Sequence, residues 1–100
     1  MNNGEKKEYR ENKSFLINFG KQVRIFRQQK GLTQEQLFLI TGIAADKISQ
    51  IENGKLNTGI SNIPCIAHAL GKTVIEIMDF EYEKVLPLEK IKTSALKQYA

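Results

Sequence analysis

Four glycines punctuate this chain, each directly behind a stretch of helical pattern. Gly31, Gly42, Gly54 and Gly71 follow segments whose apolar residues recur every three or four positions, and a glycine there supplies the left-handed turn that ends a helix. Phe15, Phe19, Val23 and Phe26 mark the first segment, with Ser14 as its first credible cap. Thr33, with Gln36 three residues later, makes a capping box that opens a second helix over Gln34 to about Thr41. A third starts at Ala44 or Ala45, turns Ile48 and Ile51 inward and Ser49, Gln50 and Asn53 outward, and stops at Gly54. Ile60, Ile63, Ile66, Ala67 and Leu70 mark a fourth, with Pro64 in its first turn or so, where a missing N–H does little harm. Thr73 can cap a short fifth carrying Val74, Ile77 and Met78. No strand pattern occurs, so the expectation is an all-α, five-helix unit over about 14–80.

Outside that unit the pattern changes. Residues 1–13 are polar and aperiodic and read as a flexible tail. Beyond Phe80, Glu81-Tyr82-Glu83 leads to Pro87, which can begin a last helix with Leu88, Ile91, Ala95 and Tyr99 on one face. That stripe needs something to pack on. Residues 81–100 are therefore expected to be a partly helical C-terminal segment available to a second copy or another protein.

The charge is unevenly placed. The total is +4, from 15 Lys and Arg against 11 Asp and Glu, an ordinary balance whose meaning lies in its position. The first helical segment carries Lys21, Arg24, Arg27 and Lys30 without one acid, whereas Glu76, Asp79, Glu81 and Glu83 form an acidic cluster that reads as solvated surface. One surface can thus face a polyanion. Cys65 is the single cysteine, which excludes an intrachain disulfide and fits a reducing compartment. The tail lacks the apolar core of a secretory signal, and no apolar run approaches the roughly 20 residues of a membrane span. A cytoplasmic protein without membrane contact is expected.

Catalytic and metal chemistry find no foothold. His68 stands alone, and Cys65 reads as a packed small side chain because no second histidine exists to complete a triad. Gly71-Lys72-Thr73 ends like a phosphate-binding loop, but the position five residues before Gly71 is Ile66 and no strand precedes it. The expectation is no enzyme, no cofactor and no metal.

The segments Gln34–Thr41 and Ala45–Asn53, joined tightly at Gly42-Ile43, are the sequence form of a helix-turn-helix, the second of whose helices can enter the major groove of DNA. An ordinary helical hairpin has the same outline. More specific are Lys30-Gly31-Leu32-Thr33-Gln34-Glu35-Gln36-Leu37, then Gly42-Ile43, then Ile48 to Lys55, and finally Ile66-Ala67-His68-Ala69-Leu70-Gly71. These blocks, in this order and separation, resemble the lambda-repressor-like helix-turn-helix family of phage repressors, Cro proteins and xenobiotic-response-element-type regulators over about residues 18–80.

The resemblance implies a sequence-specific, double-stranded DNA-binding transcriptional regulator, acting as a homodimer on a palindromic operator. It implies base readout from Ala45, Asp46, Ser49 and Gln50, and phosphate contacts from Gln34, Lys47, Asn53 and Lys55. Gln50 suits adenine, Asp46 cytosine and Ala45 a thymine methyl. Each has a plainer reading: Asp46 also suits the helix dipole at the start of its helix, and Lys47 and Lys55 also suit a solvated surface. Arg27 and Glu52 are implied to form a structural ion pair that fixes the reading helix. Phe38 departs from the small residue usual at its position and is expected to hold the second and third helices farther apart. Phe38-Leu39-Ile40 then offers an apolar patch to one of the terminal segments or a partner. Ala44 and Thr58-Gly59 replace the usual caps, so the third and fourth helices are expected to start loosely. Two further readings are an antitoxin or restriction-modification controller that autoregulates its operon, and a helical adaptor without DNA binding.

Overall fold

The computed structural model describes residues 12–83, which form five α-helices and no strand. They are α1 (Lys13–Gln29), α2 (Gln34–Thr41), α3 (Ala45–Glu52), α4 (Asn62–Ala69) and α5 (Val74–Ile77). The expected last helix and most of the polar tail lie outside the described residues.

The helix starts follow local hydrogen-bond chemistry. Thr33 and Gln36 form the predicted box, with Thr33 Oγ1 accepting from the Gln36 N–H at 3.0 Å and Gln36 Oε1 from the Thr33 N–H at 2.9 Å. Thr73 and Glu76 repeat the device at α5. At α1 the cap is Asn12, not Ser14: Asn12 Oδ1 accepts from the Phe15 N–H at 3.0 Å. The hydroxyl of Ser14 accepts instead from the Glu83 N–H at 2.9 Å, so two residues near the helix start divide two tasks. No side-chain cap bond is made by Ala44, as its sequence context suggests, and none by Ser61, the residue before α4. The entry to α4 is closed by short bonds instead, from the Asn62 N–H to Gly59 O at 3.0 Å and from the Ile63 N–H to Ile60 O at 3.1 Å.

The apolar stripes of all five helices meet in one core. Leu37 and Ile77 are fully buried, as are Val23, Ile48 and Ile66 to within 1%, and each such side chain contributes roughly 1.5–3 kcal/mol relative to exposure. Phe38 is half-buried and packs against the core that contains Leu37 of α2 and Ile48 of α3. Only Leu39 and Ile40 of the expected patch are well exposed. Cys65, expected to be packed, is exposed too, because the buried face of α4 is set by Ile66, Ala67 and Ala69. His68 is exposed.

Two close approaches fix α1 in place. Gly20 lies against the last turn of α3, where a Cβ would overlap Ile51 O and stand 2.7 Å from Glu52 O. At the other side of α1, residues 79–83 run along the helix. Phe80 and Tyr82 each bring their rings to 5.0 Å from that of Phe15. Before and between them the backbone is held by side chains of α1: Gln22 Nε2 donates to Asp79 O at 3.0 Å and Asn18 Nδ2 to Glu81 O at 3.1 Å. The packed unit therefore continues to Glu83, three residues past the boundary that apolar periodicity suggests.

Candidate nucleic-acid interface

The turn between α2 and α3 is set by Gly42 and Thr41. Gly42 has φ 76° and donates its N–H to Phe38 O at 2.7 Å, a left-handed conformation that side chains with a Cβ disfavour. Thr41 Oγ1 donates to Leu37 O at 2.8 Å and accepts from the Ile43 N–H at 3.1 Å. This locks the chain direction at the point where α3 begins.

The periodicity of α3 then separates its residues into two faces. Ile48, Ile51 and Glu52 are buried, while Asp46, Lys47 and Gln50 are exposed and Ala45 and Ser49 half-buried. All four expected readers thus keep surface on the helix side away from the core. Asp46 lies in the first turn, where both a base contact and a dipole role would place it. Lys55 is exposed just beyond the helix. Asn53 is turned back, its Nδ2 donating to Ser49 O at 2.8 Å. The same amide nitrogen also donates to Ser49 Oγ at 3.4 Å, so Asn53 is tied to the last turn of α3 at both oxygens of Ser49.

The orientation of α3 is held by one buried carboxylate. Glu52 Oε2 accepts from Arg27 Nε at 2.6 Å, and Oε1 accepts from Arg27 Nη2 at 2.9 Å. This is the bidentate pair implied by the resemblance, and both partners are buried. Arg27 Nη1 also donates to Leu32 O at 2.8 Å, which ties the link between α1 and α2 to the same centre. Burial opposes ionisation of Glu52. Hydrogen bonds from Arg27, Gln34 and Arg24, with the attraction of Arg27, outweigh it and hold the carboxyl below its ordinary value. The hydrogen bonds that Arg27 donates to Glu52 in turn raise Arg27 against the cost of its own burial.

Two members of this centre are not evident from linear spacing. Gln34 Nε2 donates to Glu52 Oε1 at 3.0 Å, and Arg24 Nε approaches the same oxygen at 3.4 Å. Gln34 was expected at a phosphate, and the structure joins it first to the ion pair. The nearest signal in the sequence is the i, i+3 spacing of Arg24 and Arg27, which puts two guanidiniums on one side of α1.

Among the described residues, no group of three or more His, Cys, Asp and Glu side chains could hold a metal ion. No described helix is long and apolar enough to cross a membrane.

A helix-turn-helix family model matches residues 23–77, from the middle of α1 through α5. Solved structures agree with it. The restriction-modification controller protein C.AhdI from Aeromonas hydrophila is 34% identical, with the match covering 62% of this chain and 94% of that one at a TM-score of 0.60. The clp gene regulator ClgR from C. glutamicum is 25% identical over 64% of this chain and 82% of that one, with a TM-score of 0.62. A hypothetical transcription factor, NHTF, from Neisseria is 26% identical over 88% of each chain, with a TM-score of 0.61. No curated protein sequence matches significantly. With more than half of its length matched, and α2, the turn and α3 all inside the match, the chain belongs to the lambda-repressor-like helix-turn-helix family of DNA-binding transcriptional regulators.

Proposed function

We propose that the protein binds a palindromic operator as a homodimer, with α3 of each subunit in the major groove. The observation that carries this reading is the clamp on α3: its inner face is fixed by Ile48, Ile51 and the Arg27–Glu52 pair, while Asp46 and Gln50 stay exposed. A helix held this rigidly presents its outward side chains in one register to base edges. Ala45, Asp46, Ser49 and Gln50 read bases in this arrangement, and Gln34, Lys47, Asn53 and Lys55 contact phosphates. One such helix spans only a few base pairs, so specific affinity requires two half-sites about 34–36 Å apart on one face of the duplex. Val74 to Phe80, with Ile75 83% exposed, and the C-terminal stripe supply the self-association surface.

Gln50→Ala tests the reading directly. The expected result is a loss of about 1–3 kcal/mol per half-site, confined to the base pair that Gln50 faces, with the unfolding midpoint unchanged. Competition between single-base operator variants measures it. A uniform loss at every position would move Gln50 from base reading to backbone contact.

The likeness to a restriction-modification controller favours one narrower role, autoregulation of such an operon. In that case the selected operator lies upstream of the protein's own coding sequence. An antitoxin would instead use residues 81–100 or Leu39 and Ile40 to hold a second protein. An adaptor would be indifferent to replacing Gln34 and Gln50 together, because its partner would not touch the reading face.

A further inference from the structure

The Glu52 centre holds one cation more than it needs. Arg27 alone gives the carboxylate two close bonds, at 2.6 and 2.9 Å, and both residues are buried. Arg24 adds a third guanidinium contact at 3.4 Å, long for a charge-assisted hydrogen bond, from a side chain that is 46% exposed. A pair this long and this open to water contributes little to stability. Two guanidiniums against one carboxylate also leave a net positive charge, and the exposed Arg24 carries it outward.

Arg24 and Gln34 meet at the same atom, Glu52 Oε1. Each uses one donor there and has others to spare. Gln34 Nε2 has a second hydrogen, and the two Nη groups of Arg24 carry four. We infer that Arg24 and Gln34, oriented by Glu52, form a two-residue seat for one backbone phosphate of duplex DNA. Arg24 is the new member of this seat, and the inference rests on the DNA-binding reading above. The division of labour is chemical: Arg27 spends its donors inside the fold, on Glu52 and Leu32 O, while Arg24 keeps its fork for a phosphate, which it matches in shape.

The test is Arg24→Gln, in the full chain, bound to a duplex selected from random sequence, with Kd measured across a salt series. Neutralising one phosphate contributes about 0.9 to the slope of log K against log salt, and a bound dimer carries two Arg24 side chains, so the slope should become shallower by about two. The matching affinity loss of the dimer is about thirtyfold at about 0.15 M salt and about two-hundredfold at about 0.05 M. Arg24→Lys keeps the charge and should retain most of the slope. Lys13→Gln, which removes an exposed charge at the opposite end of α1, should leave the slope as it is. A folding defect in Arg24→Gln lowers apparent affinity without removing a phosphate from the count, so the slope still reports. Salt-dependent binding by the unaltered protein with an unchanged slope in Arg24→Gln, or an equal change in Lys13→Gln, overturns this inference alone. Absence of DNA binding by the unaltered protein overturns the functional reading with it.

Discussion

Replacing Gly20 by alanine is expected to lower the unfolding midpoint by about 10 °C, against the direction that helix propensity gives. Alanine is the better helix former by about 1 kcal/mol, and Gly20 lies in the middle of a 17-residue helix. Propensity alone would make the variant more stable. The Cβ, however, would overlap Ile51 O and stand 2.7 Å from Glu52 O. Both obstacles are backbone atoms of α3, which cannot turn aside as a side chain can. Forcing α1 and α3 apart costs about 1–3 kcal/mol or somewhat more, and each kcal/mol shifts the midpoint of a domain this size by roughly 4–8 °C. Because the displaced helix carries the residues proposed to read bases, operator affinity should fall further than the stability loss explains. Thermal unfolding by circular dichroism decides the sign. A raised midpoint would show that the two helices do not touch at Gly20.

Removing the Glu52 carboxylate should have the largest effect on stability. Glu52→Ala leaves Arg27 buried and unpaired and deprives Gln34 of its acceptor. Breaking a buried pair by deleting one partner costs about 3–5 kcal/mol, a large share of the 5–15 kcal/mol typical of a folded domain. Operator binding should weaken as well, since α3 loses the contact that sets its angle. Unchanged thermal stability together with unchanged affinity would contradict the clamp. The same centre predicts a pH dependence. The folded carboxyl titrates below its ordinary value of 4.5, so unfolding takes up protons. The stabilisation is fully present above about pH 4.5 and is lost as pH falls through the lower, folded value. Glu52→Gln should therefore be less stable than the unaltered protein near neutrality and lose less stability as pH falls below about 4.5. Parallel acid profiles for the two proteins would show that Glu52 is not the group responsible.

The sequence was most readable where chemistry is local. Thr33 with Gln36, and the glycines at 31, 42, 54 and 71, act through neighbours three or four residues away, so α2 and the ends of α1 and α3 could be placed before any tertiary contact was known. The Arg27–Glu52 pair followed from the resemblance alone, because residues 25 positions apart share no local pattern. Gly20 shows the limit: periodicity records which side chains face inward but not how near another backbone comes. The run from Asp79 to Glu83 shows it again. Its acidic side chains face water as composition suggests, yet its backbone is fastened by Asn18 and Gln22, polar residues that look like ordinary surface in the sequence. Ser14 looks like the cap in the sequence because its other task, holding Glu83, depends on a residue 69 positions away. Gln34 and Arg24 were hidden for the same reason, since only folding brings them to one carboxylate oxygen.

The most direct measurement is selection and sequencing of duplexes bound from a random-sequence pool, repeated at two salt concentrations. A palindromic site with half-sites about one helical turn apart, and an affinity that falls steeply as salt rises, is the expected result. It would establish two copies of α3 reading one face of the duplex. Weak binding without sequence preference, abolished by modest salt, would contradict specific readout from Ala45, Asp46, Ser49 and Gln50.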